Sequence, residues 1–357
     1  MKRLILFLSF LPLLGVCNAP FRAPTWVTGL MSTTTPPAAS SPLPNYTPSQ
    51  PQALTSSLTP TPLGSSAGQI AFAASDGVYI MNTDGTGRTL LPDSIGLYVR
   101  PFAWSPDGAK IAFMCSGGIC VKDFDGPLLT CPDLGFGLAW SPNGKRIAFV
   151  TVEPYYELHV MNADCQGQAR LAKVGGDPVW SPDSQRIAFV SPAHSIYLVN
   201  ADGTELKRLA TMADGAAWSP DGTKIAFASY DDGGIHLINT DGTGRTRIAV
   251  KALDEAYLLQ PTWSPDGSKI AYAPARLLYT GPRVLDTKLY IMNADGTDQK
   301  HLTPIVGRRF AWSPDGRMIA VSTEIKGQSG IYLVQAEGAV RLTQLTNQGE
   351  NYPAWRP

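Results

Sequence analysis

The stretch WSPDGAKIAF, residues 104–113, combines a tryptophan, a tight turn and an alternating strand. Its Ser-Pro-Asp-Gly segment suits a type I turn, because serine favours the first position, proline presets φ at the second and glycine fits the fourth. The following residues alternate, which places Ile111 and Phe113 on one face of a strand and Ala112 on the other. The stretch therefore predicts two short antiparallel strands joined by a tight turn.

Copies of this stretch recur along the chain at intervals of 36 to 49 residues. Full or near copies begin at Trp104, Trp140, Trp180, Trp218, Trp263 and Trp312, and a truncated Trp-Arg-Pro begins at Trp355. Each repeat continues with a third strand, an Asp-Gly hairpin turn and a fourth strand, as in residues 289–303. Four short strands per repeat match one propeller blade, and internal repetition of this period predicts an all-β propeller.

The two ends of the repeat region complement each other. Residues 69–92 supply second, third and fourth strands without a preceding tryptophan strand, and residues 351–357 supply a first strand alone. Pairing the two makes one hybrid blade, which brings the six complete repeats to seven. The predicted fold is a seven-bladed β-propeller of four-stranded antiparallel blades, closed by pairing the C-terminal strand with the N-terminal hairpins. Closure also removes exposed strand edges.

Residues 1–17 have the layout of a signal peptide. Lys2 and Arg3 precede an apolar run that reaches Cys17 and is too short to span a bilayer comfortably. Residues 14–17 resemble a bacterial lipoprotein box, which makes Cys17 a lipidation candidate, and ordinary cleavage after Ala19 is the alternative. Both routes predict an exported protein in the periplasm or on the outer cell surface.

Residues 18–67 are rich in proline, serine and threonine and show no hydrophobic period. Such a segment buries too little apolar surface to offset the entropy of ordering, so we expect a disordered tether. The propeller then covers residues 68–357. In an oxidising compartment its four cysteines have three pairings open to them, and Cys115 and Cys120, which flank a short turn, are the disulfide candidate.

The repeats resemble a known family. The Trp-Ser-Pro-Asp-Gly-x-x-Ile-Ala-Phe units, each followed by a unit like Ile-Tyr-x-Met-Asn-Ala-Asp-Gly-Thr, look like the TolB propeller repeats over residues 68–357. The resemblance implies a bacterial, envelope-facing scaffold that binds other proteins. The family's namesake has six blades and an amino-terminal α/β domain, whereas this sequence predicts seven blades and has the tether before them.

The candidates for catalysis are weak. Of the four histidines, His159 and His236 occupy a place that tyrosine fills in sister repeats, and no Gly-x-Ser-x-Gly elbow occurs. The turn aspartates should form a ring on one face that could attract a cation or a basic partner, although aspartate also suits the turn itself. The ring positions are Asp107, Asn143, Asp183, Asp221, Asp266 and Asp315.

The sequence favours a binding role over catalysis. Insertions at residues 153–157, 250–260 and 275–288 should share one face, opposite the aspartate ring, and insertions tend to gather on the binding face of a repeat protein. They carry residue types enriched at interface hot spots. The candidate partner-binding residues are Tyr155, Tyr156, Tyr257, Arg276, Tyr279 and Arg283.

The resulting prediction is a monomeric, exported scaffold that binds a protein or glycan in the cell envelope and needs no cofactor. The sequence leaves open whether a structural cation binds near the axial channel. Lys+Arg 29 balances Asp+Glu 29, which argues against nucleic-acid binding, and contact with the membrane is expected only through a lipid anchor. The alternative function is a metal-dependent lyase or hydrolase that acts at the central channel.

Overall fold

The fold is known from a computed structural model that describes 68–92, 94, 102–115, 117–132, 135–151, 156–249, 256–258, 261–276, 289–303, 306–325, 328–337, 342–346 and 350–357. The predicted signal peptide and tether lie outside these residues. Within the described part all regular elements are β-strands, and seven four-stranded antiparallel sheets form a ring. The prediction of a seven-bladed propeller is confirmed. No described segment forms a helix long and apolar enough to cross a membrane.

Each blade contains a first, a second, a third and a fourth strand, hydrogen-bonded in that order. Blade 1 contains β30 (Asn351–Trp355), β1 (Gln69–Ala74), β2 (Gly77–Asn82) and β3 (Thr89–Leu90). Blade 2 contains β4 (Ala103–Trp104), β5 (Lys110–Cys115), β6 (Gly118–Asp123) and β7 (Leu128–Cys131). Blade 3 contains β8 (Gly135–Trp140), β9 (Arg146–Thr151), β10 (Glu157–Asn162) and β11 (Ala169–Lys173). Blade 4 contains β12 (Val179–Trp180), β13 (Arg186–Val190), β14 (Ser195–Asn200) and β15 (Lys207–Thr211).

The remaining blades follow the same order. Blade 5 contains β16 (Ala213–Trp218), β17 (Lys224–Ser229), β18 (Ile235–Asn239) and β19 (Thr246–Ala249). Blade 6 contains β21 (Thr262–Trp263), β22 (Lys269–Tyr272), β24 (Leu289–Asn293) and β25 (Lys300–Thr303). Blade 7 contains β26 (Val306–Trp312), β27 (Met318–Ile325), β28 (Gln328–Gln335) and β29 (Leu342–Gln344). β20 (Ala256–Leu258) and β23 (Pro274–Arg276) form a separate two-stranded ribbon.

Blade 1 is the hybrid that the sequence predicts. β30 pairs antiparallel with β1, with Ile70 opposite Trp355 and Ala71 opposite Ala354. Arg356 extends the pairing, because its backbone N–H donates to the carbonyl oxygen of Gln69 at 2.8 Å. Its side-chain Nε–H donates to the carbonyl oxygen of Gly108 in blade 2, also at 2.8 Å. The last strand of the chain therefore joins the first hairpin and also contacts the next blade.

Both faces of the second strands are buried because the blades pack face to face. The alanine on one face shares a cluster of buried side chains with the isoleucine of the next blade, where a larger side chain would hold the sheets apart. The seven junctions pair Ala71 with Ile111, Ala112 with Ile147, Ala148 with Ile187, Ala188 with Ile225, Ala226 with Ile270, Ala271 with Ile319 and Ala320 with Ile70.

The repeat tryptophans bond each blade to the one before it. Every indole Nε1–H donates to a backbone carbonyl next to the preceding blade's tryptophan, at distances between 2.9 and 3.3 Å. The bonds run from Trp104 to Ala354, Trp140 to Ala103, Trp180 to Ala139, Trp218 to Val179, Trp263 to Ala217, Trp312 to Thr262 and Trp355 to Ala311. Seven bonds in series therefore close a complete circle.

Two disulfides strengthen the region of blades 2 and 3. Cys115 and Cys120 are bridged within the β5–β6 hairpin, with an S–S distance of 2.06 Å, and Cys120 lies inside β6 rather than at the turn. Cys131 of β7 is bridged to Cys165, in the turn between β10 and β11. The second bridge links two blades covalently.

Candidate functional site

The antiparallel order of the strands gives the ring two chemically different faces. Connections from first to second strands and from third to fourth strands emerge on one face, which we call the turn face. Connections from second to third strands and from one blade to the next emerge on the other face, which we call the insertion face. The Ser-Pro-Asp-Gly turns lie on the turn face. The described strand ends that border the lengthened connections at residues 153–157, 250–260 and 275–288 lie on the insertion face, and most residues of these connections are outside the described part.

On the turn face, the turn aspartates accept hydrogen bonds from residues of their own turns. Asp107 accepts hydrogen bonds from the Ser105 hydroxyl at 2.5 Å and from the Ala109 backbone N–H at 3.0 Å, and the Ser105 bond is the main reason its pKa is lowered. Hydrogen bonds from Ser264, and then from Ser268, lower the pKa of Asp266 to about 2. These carboxylates stabilise the turns that carry them.

The first strands of blades 3 to 6 line a cavity of about 400 Å³ at the axis of the ring. Its walls are tryptophan, proline, alanine and valine side chains, joined by the hydroxyls of Thr262 and Ser264. Among the described residues, no ionisable side chain lines this part of the channel. The two hydroxyls are hydrogen-bonding groups, but a lining of this kind contains no carboxylate, imidazole or thiolate, the usual side chains that transfer protons or bind metal ions.

The histidines lie away from the axis. His159 and His236 are on third strands, His301 is on a fourth strand, and His194 precedes a third strand on the insertion face. His159 and His236 stack on Phe149 and Phe227, as Tyr197 stacks on Phe189 in a sister blade. The four imidazoles therefore lie in four different blades, blades 3 to 6.

His236 is held by partners on both ring nitrogens. Its Nε2 lies 3.0 Å from the carboxylate oxygens of Asp232, and the Nε–H of Arg245 points to its Nδ1 at 3.3 Å. The side chain is buried, and neither nitrogen is left for a substrate. Across the described residues, no three His, Cys, Asp or Glu side chains stand close enough to hold a metal ion together.

On the insertion face, Tyr156 presents an anchored aromatic ring. Its side chain is 54% exposed and meets Phe136 edge-on, with ring centroids 5.6 Å apart and an interplanar angle of 81°. Its carbonyl oxygen accepts the Val174 N–H at 2.9 Å, which fixes the backbone. A large, exposed and positioned aromatic side chain is typical of an interface hot spot.

The β20–β23 ribbon brings two of the three insertions together. Ala256 pairs with Arg276 and Tyr257 with Ala275, so two candidate residues occupy neighbouring places in one short ladder. Tyr156 is on blade 3, so the structure does not place it in the same ladder. The candidates Tyr155, Tyr279 and Arg283 lie outside the described residues.

A third group on this face was not predicted from the sequence. The exposed His194 ring meets Tyr230 at a centroid distance of 5.0 Å, and the Tyr230 hydroxyl donates to Asp214 at 2.8 Å. Met212, between these residues in the chain and 48% exposed, adds an apolar surface. The residues come from two blades, and their only sequence signal is a place in connections that lead to the insertion face.

Fold and topology together define a closed, seven-bladed propeller whose insertion face departs from the repeat. The sequence profile of the TolB beta propeller domain matches residues 118–357, and the chain belongs to this family. No curated protein matches the chain.

Among solved structures, the chain is similar to TolB from Acinetobacter baumannii, with 19% identity, a TM-score of 0.51 and coverage of 81% of this chain and 82% of that one. It is also similar to oligogalacturonate lyase from Vibrio parahaemolyticus, with 14% identity, a TM-score of 0.59 and coverage of 74% and 84%. An oligogalacturonate lyase in complex with manganese gives 16% identity, a TM-score of 0.56 and coverage of 79% and 86%. At these identities the likeness concerns the fold alone.

Proposed function

We propose that this protein is an exported scaffold of the bacterial cell envelope that binds a protein partner through its insertion face. The observation that carries the proposal is the contrast between the two faces. The turn face repeats the same short turns in successive blades, whereas the insertion face departs from the repeat and presents Tyr156, Met212 and the β20–β23 ribbon. Aromatic and methionine side chains are enriched at protein interfaces.

Membership of the TolB beta propeller domain family supports the envelope location and a protein partner. The two disulfides support an oxidising compartment, because such bridges persist outside the cytoplasm. The apolar lining of the cavity formed by the first strands of blades 3 to 6 favours binding over catalysis at the axis. Cys17 and the tether residues 18–67 would then attach the propeller to a membrane through a lipid.

The partner surface can be tested with two single variants that have equal exposure. Tyr156 lies on the insertion face and Leu206 follows a turn on the opposite face, and each side chain is 54% exposed. Full-length wild type, Tyr156→Ala and Leu206→Ala are expressed with an affinity tag and used as bait for envelope extracts. We expect Tyr156→Ala to lose the partners that Leu206→Ala retains. Equal recovery of every partner by the two variants would contradict the proposed surface.

The anchor can be tested separately. Cys17→Ser removes the thiol that a lipid would modify, so the exported protein should move from the membrane fraction to the soluble envelope fraction. Mass spectrometry of the wild-type amino terminus should detect a diacylglyceryl group on Cys17. A mature chain that begins after Ala19 and carries no lipid would establish ordinary secretion instead.

A further inference from the structure

A cleft opens on the turn face between blades 5 and 6. Its volume is about 510 Å³, within the range of small-molecule sites. The lining contains charged groups of both signs, an amide and an indole. The groups that decide its chemistry are Lys224, Asn239, Asp266 and Asp295, with Trp263 and Leu237 as apolar walls.

The cleft is open because the basic residue at this junction is a lysine that does not cover the neighbouring indole. At the preceding junction, the Arg186 guanidinium covers the Trp218 ring at 5.2 Å from its centroid. The equivalent residue of blade 3, Arg146, donates to the Ala201 carbonyl oxygen of the next blade. The Lys224 ammonium makes no hydrogen bond or ion pair with a described residue, and Trp263 stays partly exposed.

The other lysines at this repeat position are paired. Lys110 lies 3.0 Å from Asp123, and Lys269 lies 3.2 Å from Glu337. The structure describes all five basic residues at this position, in blades 2 to 6. Lys224 of blade 5 lines the cleft, and its ammonium group keeps its donors available there.

Hydrogen-bond acceptors also line the cleft between blades 5 and 6. Asp295 uses its Oδ1 for the backbone N–H and the hydroxyl of Thr297, at 2.9 and 2.7 Å, and no side chain of the described part donates to its Oδ2. A free cation would meet Lys224 in this cleft, and a free anion would meet Asp221, Asp266 and Asp295. A neutral ligand with many hydroxyl groups avoids both conflicts, because each hydroxyl can donate to a carboxylate and accept from an ammonium.

We propose that the cleft between blades 5 and 6 binds a neutral sugar unit. Hydroxyl groups would bond to Lys224, Asp295 and Asn239, and a carbon–hydrogen face of the ring would pack on Trp263. The site is on the face opposite the proposed protein-binding surface. A glycan contact there would be additional to the protein partner and independent of it.

The test titrates the full-length protein with maltose, cellobiose, lactose and N,N′-diacetylchitobiose, read by saturation-transfer NMR and tryptophan fluorescence. Lys224→Arg should cover Trp263 as Arg186 covers Trp218, and Lys110→Arg is the matched control in blade 2. We expect at least one disaccharide to bind wild type and Lys110→Arg equally, and Lys224→Arg at least tenfold more weakly. Asp295→Asn, which keeps a residue suited to the turn, should also bind more weakly.

Three results would overturn the proposal. One is an absence of binding by all four disaccharides up to about 10 mM, a concentration that detects even weak sites. The second is unchanged affinity in both Lys224→Arg and Asp295→Asn when circular dichroism shows that they are folded. The third is binding of a short charged peptide, but of no sugar, that Lys224→Arg abolishes.

Discussion

At the scale of single residues, the indole N–H of each repeat tryptophan orients neighbouring blades, which the hydrophobic core alone cannot do. Burial of isoleucine and phenylalanine favours stacked blades but has no preferred direction. The bond from Trp180 to the Ala139 carbonyl, at 3.0 Å, fixes how far one blade is rotated against the next. The same bond is found at all seven junctions, so each tryptophan of the sequence repeat corresponds to one junction between blades.

Trp180→Phe tests this bond. The substitution removes the donor, leaves the Ala139 carbonyl without its partner and opens a small cavity. We expect the free energy of unfolding to fall by about 1–3 kcal/mol from the lost bond alone. Leu206→Ala, at an exposed site, should change it by less than about 0.5 kcal/mol. Urea unfolding monitored by circular dichroism measures both, and equal stability of the two variants would mean that the indole bond is dispensable.

The turn aspartates make stability depend on acid. Hydrogen bonds lower the pKa of Asp266 from 3.8 to about 2, so its contribution is present above about pH 4 and disappears as the pH falls through about 2. Asp266→Asn keeps the turn, because Asn143 accepts the same kind of serine bond in blade 3. We expect the stability gap between wild type and Asp266→Asn to narrow between pH 4 and pH 2 in thermal unfolding. A gap that stays constant over this range would contradict the assignment.

At the scale of elements, departures from the repeat have local physical reasons. Ser184 replaces the turn glycine of blade 4 at a φ of 62°, and its hydroxyl accepts the Asn143 backbone N–H of blade 3 at 3.0 Å. Cys165 replaces the hairpin glycine of blade 3 at a φ of 69°, where its sulfur reaches Cys131. In both turns a side chain that contacts the neighbouring blade takes a position where the backbone favours glycine.

The blade-to-blade disulfide can be replaced by the sister-repeat residues. The double variant Cys131→Ala with Cys165→Gly introduces the residues that sister repeats carry at the equivalent positions, Ala172 in blade 3 and Gly203 in blade 4. The glycine allows the turn to keep its backbone conformation. Opening a loop of 34 residues should cost about 3–4 kcal/mol, against about 2 kcal/mol for the short Cys115–Cys120 loop. Urea unfolding of this double variant and of the double variant Cys115→Ser with Cys120→Ser compares the two losses of stability. A larger loss in the hairpin variant would contradict this ranking.

At the scale of the whole molecule, the sequence predicted the ring but only part of the site. The tryptophan register, the alternating second strands and the complementary ends determine seven blades, because each signal is local and repeated. The site depends on connections that do not repeat. Tyr156 could be predicted as an exposed aromatic residue, whereas the contact of His194 with Tyr230 joins two blades through space. No periodicity in the sequence encodes that contact.

The most direct test of the closed ring is an engineered disulfide between β1 and β30. Ala71 and Ala354 are register partners, and partners in an antiparallel pair have Cα atoms about 4.5–5.5 Å apart, within the range that a disulfide bridges. Ala71→Cys with Ala354→Cys should form an intramolecular bridge that non-reducing peptide mapping detects in the monomer. Ala112→Cys with Ala354→Cys, which aims at the equivalent alanine of blade 2, should not. A bridge in the second variant, or none in the first, would contradict closure by the C-terminal strand.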